Sequence, residues 1–84
     1  MKIGTIGTLH VGTDCYPCQI VAKVNDKCFV AVRLKESCEE DDFDMRGQNS
    51  IVILRLKNDG RWVEDGSRNV FDDTECKYYI DPSF

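Results

Sequence analysis

Apolar and polar residues alternate along most of the chain, and turn-forming residues recur about every eight to twelve positions. No segment carries a convincing helical period of about 3.6 residues. This pattern predicts an all-β fold. We expect an SH3-like or partly open antiparallel barrel of about five to seven short strands.

The first half of the chain predicts one strand and then a hairpin. The first strand is expected over residues 3–11, followed by a loop in which Pro17 excludes pairing within a central strand. Residues 18–24 and 27–34 then form the clearest hairpin, with Asn25-Asp26 as a two-residue turn and Ile20 opposite Ala31. Both faces of this hairpin are partly apolar, so it should be central or strongly curved.

The second half predicts shorter strands. Residues 50–57 form a strand that turns back at Gly60, where a positive φ is expected. Trp62 lies on the returning strand and should pack across strands as a core or rim aromatic. A short strand at Val70-Phe71 follows, and residues 76–80 are expected to close the sheet.

The C-terminal end is unusually aromatic. An apolar terminus is ordered only where it packs, since most domain ends are polar and frayed. We therefore expect a strand and an aromatic plug that seal the barrel. The residues predicted to be structural are Gly60, Trp62, Tyr78, Tyr79, Pro82 and Phe84.

An acidic loop at about residues 35–49 is the only long interruption of the strand pattern. Loops longer than about 12 residues in compact domains tend to be functional or disordered. This loop could present phosphate-like charge to a basic groove on a partner, with its phenylalanine as an anchor. The alternative is a solvated loop whose charges keep the protein soluble. The predicted partner-binding residues are Glu39, Glu40, Asp41, Asp42, Phe43 and Asp44.

Length and charge narrow the function further. The 84 residues suffice for a single small domain, residues 1–84. A net charge of −4 argues against direct nucleic-acid binding but permits a partner protein with a basic surface. No apolar run approaches the roughly 20 residues that span a bilayer, and the N-terminus lacks a secretory h-region. We therefore expect no membrane contact and a location in the cytoplasm of a host cell.

Cysteine and histidine are the candidates for metal or redox chemistry. An odd count of five cysteines without a secretion signal predicts reduced thiols. Cys15 and Cys18 have CxxC spacing, which could form a zinc site together with other thiols. The favoured interpretation is that the five cysteines are small, partly buried hydrophobic residues. His10 is expected to be an exposed strand residue without a catalytic partner. No metal and no cofactor are predicted.

Three segments carry a resemblance. Residues 54–66 and 78–84, and less strongly residues 11–17, resemble small uncharacterised proteins encoded by bacteriophages and prophages. The shared features are a glycine-arginine-tryptophan hairpin and a tyrosine-tyrosine-x-aspartate-proline-serine-phenylalanine ending. The resemblance implies an all-β phage accessory protein and implies no reaction.

Together these observations predict a non-enzymatic phage accessory protein that binds and inhibits a host protein. An anti-CRISPR-type inhibitor of a nucleic-acid-binding defence nuclease is the specific hypothesis. One alternative is a structural adaptor of the virion or its assembly. Another is a small-molecule or nucleotide-binding sponge with a pocket around Trp62, Arg61 and Arg55. No phosphate-cradling glycine loop or nucleophile elbow is present, so an enzyme is not expected.

Overall fold

The computed structural model describes residues 1–47 and 50–82, which form a closed barrel of six antiparallel strands. Each strand pairs with the next along the chain, and the last pairs with the first. This confirms the prediction of a small all-β barrel. The strands are β1 (Ile6–Val11), β2 (Asp14–Asn25), β3 (Cys28–Arg33), β4 (Ile51–Leu56), β5 (Trp62–Glu64) and β6 (Val70–Asp72).

Alternate residues of the strands point into the barrel and form its core. Trp62 lies partly buried at the edge of this core, where its ring packs edge-on against Phe29 with ring centroids 5.1 Å apart. Such aromatic pairs stabilise by about 0.5–1.5 kcal/mol beyond the area they bury. The buried cluster consists of Leu9, Cys18, Ile20, Phe29, Ala31, Val52, Leu54 and Phe71.

The seam that closes the barrel joins β1 to the short strand β6. Leu9 lies opposite Phe71 across this seam, and Gly7 lies two residues before Leu9 on the same face. A Cβ atom at Gly7 would lie 2.5 Å from the Phe71 ring and would also meet the backbone of Asp72. The absent side chain therefore lets β6 approach β1.

The start of β2 corrects the prediction for Pro17. This residue was expected in a loop, but it lies inside β2, paired with Thr8 and almost fully buried. The carbonyl oxygen of Pro17 accepts a hydrogen bond from the Leu34 amide, just beyond the end of β3. The proline nitrogen faces the same side, where the regular ladder with β3 has ended, so its missing N–H costs little.

The β2–β3 hairpin follows the prediction at its base and departs from it near the turn. Ile20 lies opposite Ala31 as predicted, but Asn25 pairs with Cys28, so the turn residues are Asp26-Lys27. Two register irregularities, between Ile20 and Ala22 and between Lys23 and Asn25, account for the shift. A bulge of this kind adds a residue and curls the strand.

The closing strand is also different from the predicted one. Residues 76–80 do not belong to the barrel, since β6 already closes it against β1. Tyr79 makes a single bridge to Cys15, with backbone hydrogen bonds of 2.7 and 2.9 Å. The C-terminal segment thus lies outside the barrel rather than sealing it. Pro82 is exposed, and Phe84 lies outside the described residues.

Candidate functional site

A second layer of chain covers the outer face of β1 and β2. Strand alternation points Thr8 and Gln19 away from the core, yet they are only 0% and 4% exposed. Thr8 Oγ1 donates a 2.8 Å hydrogen bond to the carbonyl oxygen of Glu75 in the C-terminal segment. Gln19 bonds to Asp41 in the acidic loop. Both segments therefore dock on the same two strands.

A disulfide between Cys38 and Cys76 joins these two segments covalently. The expectation that all five thiols are reduced is therefore wrong for this pair. Sequence spacing could not reveal it, because the two cysteines are 38 residues apart and meet only after both segments fold onto the barrel. Disulfides are rare in the cytosol, so cysteine usage no longer supports a cytoplasmic location.

The buried amide of Gln19 clamps the acidic loop to β2. Its Oε1 accepts a 2.7 Å hydrogen bond from the Asp41 amide, and its Nε2 donates to Asp41 Oδ1 at 3.1 Å. Asp41 adopts a φ of 61°, a left-handed conformation that aspartate tolerates better than most residues. Asp41 therefore holds the loop in place, although the sequence predicted a role in partner binding.

Two further carboxylates of the loop are also engaged within it. Asp42 accepts a 2.8 Å hydrogen bond from Ser37 Oγ and lies 3.7 Å from Lys35 Nζ. Asp44 receives a bidentate contact from Arg46, at 3.0 and 3.1 Å, and these hydrogen bonds lower the pKa of Asp44 to about 2.

The rest of the predicted partner-binding set divides between packing and exposure. Phe43 is half-buried and bridges to Leu34 through the backbone, so it is not a free anchor. Glu39 and Glu40 are exposed, and their carboxylates have no partner within residues 1–47 and 50–82. The charge that the loop offers to a partner is therefore concentrated on these two glutamates.

Exposed apolar side chains lie on the same two linked segments. Met45 is 64% exposed, and three consecutive C-terminal residues, Tyr78, Tyr79 and Ile80, are 40–43% exposed. Partial burial and the nearby negative charge of Glu36 raise the pKa of Tyr78, so the phenol lies close to the acidic loop. We call the surface formed by Glu39, Glu40, Met45, Tyr78, Tyr79 and Ile80 the acidic–aromatic surface.

A ring stack beneath this surface supports Tyr78. The Tyr78 ring meets Tyr16 edge-on at 6.4 Å, and the Arg33 guanidinium lies 4.3 Å from the centroid of the Tyr16 ring. Arg33 Nε is buried and has no hydrogen-bond partner within the described ranges. The cation–π contact thus takes the place of a salt bridge for this side chain.

His10 has partners that the sequence did not reveal. It is half-buried rather than exposed, and its Nδ1 lies 3.5 Å from Cys15 Sγ. Ligand atoms of His10, Asp72 and Glu75 all lie within 4.8 Å of one another. The cluster forms because Cys15 and β6 flank His10 on its two neighbouring strands, so the signal is cross-strand register rather than spacing along the chain.

Asp72 is oriented within this cluster by Thr74. One carboxylate oxygen, Oδ1, accepts bonds from the Thr74 amide at 2.9 Å and from Thr74 Oγ1 at 2.5 Å. These bonds, with a smaller contribution from His10, lower the pKa of Asp72. The carboxylate is therefore ionised and held in a fixed orientation.

The CxxC spacing does not form a shared thiol site. Cys15 and Cys18 lie three residues apart in a strand and so point to opposite faces of the sheet. Cys18 belongs to the core, and burial raises its pKa to about 12. Zinc bound by both thiols, which the sequence left open, is incompatible with this geometry.

The pocket expected around Trp62, Arg61 and Arg55 does not form as one site. Trp62 packs against the core, while the two arginines line separate clefts of about 580 and 470 Å³. Each arginine is paired with a carboxylate, Arg61 with Asp59 at 2.7 Å and Arg55 with Asp65 at 2.9 Å.

Comparisons with known proteins return no relative. No family model, curated protein or solved structure matches the chain. The resemblance to phage proteins therefore stays a prediction. Within residues 1–47 and 50–82, no helix has the length and apolar character needed to cross a membrane.

Proposed function

We propose that the protein is a non-enzymatic binding protein that docks a basic surface of a partner protein onto its acidic–aromatic surface. The observation that carries this proposal is the covalent union of the acidic loop and the C-terminal segment through Cys38–Cys76. It joins the loop that carries the two unpaired glutamates to the segment that carries the exposed tyrosines. Protein interfaces are enriched in tyrosine and methionine at their centre and carry charge at their rim.

The rigidity of the surface favours binding. Gln19, the disulfide and the Tyr79 bridge each fix part of it to the barrel before any partner arrives. A surface that is already ordered loses less conformational entropy on association than a flexible loop does. The loop is therefore better suited to recognition than a purely solvated one.

The specific partner class we propose is a host protein with a nucleic-acid-binding groove, in particular a defence nuclease. Glu39 and Glu40 would form ion pairs with basic side chains that normally contact phosphates. This form of the proposal rests on the net charge of −4 and on the resemblance to phage proteins. It requires the protein to act in the cytoplasm of the infected cell with the Cys38–Cys76 disulfide intact, although disulfides are rare in that compartment.

The test is inhibition of purified defence nucleases of the host, measured as loss of target-DNA binding when the protein is added. The variant is Glu39→Lys with Glu40→Lys. The control, Asp26→Lys with Asp65→Lys, reverses two exposed carboxylates outside the surface. Each reversal adds two positive charges, so both variants move the net charge from −4 to zero.

We expect the control to inhibit like the parent protein and the variant to lose inhibition. Equal inhibition by both would refute the role of the acidic–aromatic surface. Absence of inhibition by the parent protein across the nucleases, together with its recovery in purified virions, would favour the structural adaptor instead.

A further inference from the structure

We propose that His10, Asp72 and Glu75 form a binding site for a divalent first-row transition-metal ion such as Zn²⁺. One ligand atom from each residue lies within 4.8 Å of the other two. Atoms that all bind one ion at about 2.0–2.2 Å are separated from each other by no more than about 4.4 Å. That limit applies to two ligands on opposite sides of the ion, whereas tetrahedral ligands at these distances lie about 3.3–3.6 Å apart. The three side chains must therefore close by about 1.2–1.5 Å to hold an ion, and the exposed Glu75 side chain is the one freest to move.

The donor types select the class of ion. One imidazole nitrogen with two carboxylate oxygens suits zinc, manganese or iron, whereas calcium and magnesium prefer oxygen ligands alone. Three protein ligands leave a coordination position for water, as in many zinc sites. The two carboxylates have no lysine or arginine partner within the described ranges, so a cation would balance their charge.

Outer contacts orient two of the three ligands. Cys15 Sγ meets Nδ1 of His10, which leaves Nε2 available for the ion. Thr74 holds Oδ1 of Asp72, which leaves Oδ2 available. Contacts of this kind around a metal ligand fix its orientation and commonly change metal affinity 10- to 100-fold.

The backbone that carries Glu75 is also fixed. Its carbonyl oxygen accepts the hydrogen bond from Thr8, and the next residue, Cys76, is held by the disulfide. A bound ion would therefore join β1, β6 and the C-terminal segment at one point. The site lies outside the acidic–aromatic surface and is independent of the proposed partner.

Isothermal titration of the chelator-treated protein with Zn²⁺ alone tests the site. We expect one ion per chain, a higher Tm in its presence, and no comparable binding of Mg²⁺. Glu75→Gln and His10→Gln should each weaken zinc binding at least about tenfold. Because Glu75 is exposed, its substitution leaves the fold intact.

The matched control is Asp73→Asn, which removes a carboxylate from the same exposed segment but outside the cluster. It should bind zinc like the parent protein. Absence of zinc binding by the parent protein would overturn the proposal. So would unchanged affinity in both the Glu75 and His10 variants, or an equal loss in the Asp73 control.

Discussion

Removing the Cys38–Cys76 disulfide should strongly destabilise the protein. The bond closes a loop with a sequence separation of 38 residues. The chain-entropy relation for a closed loop of this length gives about 4 kcal/mol at 25 °C. That is a large share of the roughly 5–15 kcal/mol that stabilises typical domains, and small domains have limited cores. We therefore expect Cys38→Ser with Cys76→Ser to lower the free energy of unfolding by about 4 kcal/mol.

Equilibrium urea unfolding, with and without dithiothreitol, measures this change. The reductant should destabilise the parent protein to the level of the double variant. It should not affect the double variant, whose remaining cysteines are Cys15, Cys18 and Cys28 and form no disulfide. A loss below about 1 kcal/mol, or a further effect of the reductant on the double variant, would refute the reasoning.

Four other substitutions test the packing. Gly7→Ala should lower the free energy of unfolding, measured by thermal unfolding, by more than about 2 kcal/mol, because the new Cβ overlaps β6. Gly12→Ala, in open space at positive φ, should lower it by about 1 kcal/mol. Equal losses would contradict the tight seam. Gln19→Ala should cost about 1–3 kcal/mol and speed amide exchange at Asp41, and unchanged exchange would refute the clamp. Burial raises the pKa of Cys18 from 9.0 to about 12, so the folded protein favours the protonated thiol. This contribution to stability is fully present below pH 9 and is lost as the pH rises towards 12, because only the unfolded thiol ionises in that window. Cys18→Ala should therefore flatten the fall of unfolding free energy above pH 9, by up to about 1.4 kcal/mol per pH unit, and an unchanged slope would contradict the burial.

Local patterns predicted the elements whose partners are close in sequence. The two-residue period and turn residues indicated the β2–β3 hairpin and the strand before Gly60, which has the expected positive φ of 89°. Pro17 was misplaced because a proline is excluded only where its N–H would be needed, and that depends on where the neighbouring strand ends.

The features that depend on the second layer could not be predicted from local sequence patterns. Neither the disulfide nor the His10 cluster has a spacing signal, since each joins segments that are distant in sequence. The acidic run did locate a surface segment, but composition alone could not separate Asp41, which anchors the loop, from Glu39 and Glu40, which are free. The net charge of the sequence includes every carboxylate but does not show what each one contacts.

The most direct test of the acidic–aromatic surface is the dissociation constant of the complex with a nuclease that the protein inhibits. It is measured at one salt concentration for the parent protein, the surface variant and the control variant. Juxtaposed like charges cost several kcal/mol at an interface. The Glu39→Lys, Glu40→Lys variant should therefore bind at least about 100-fold more weakly than the parent protein. The Asp26→Lys, Asp65→Lys control, of the same net charge, should bind within about threefold of it. Equal weakening of both variants would contradict a localised binding surface and leave only a general effect of net charge.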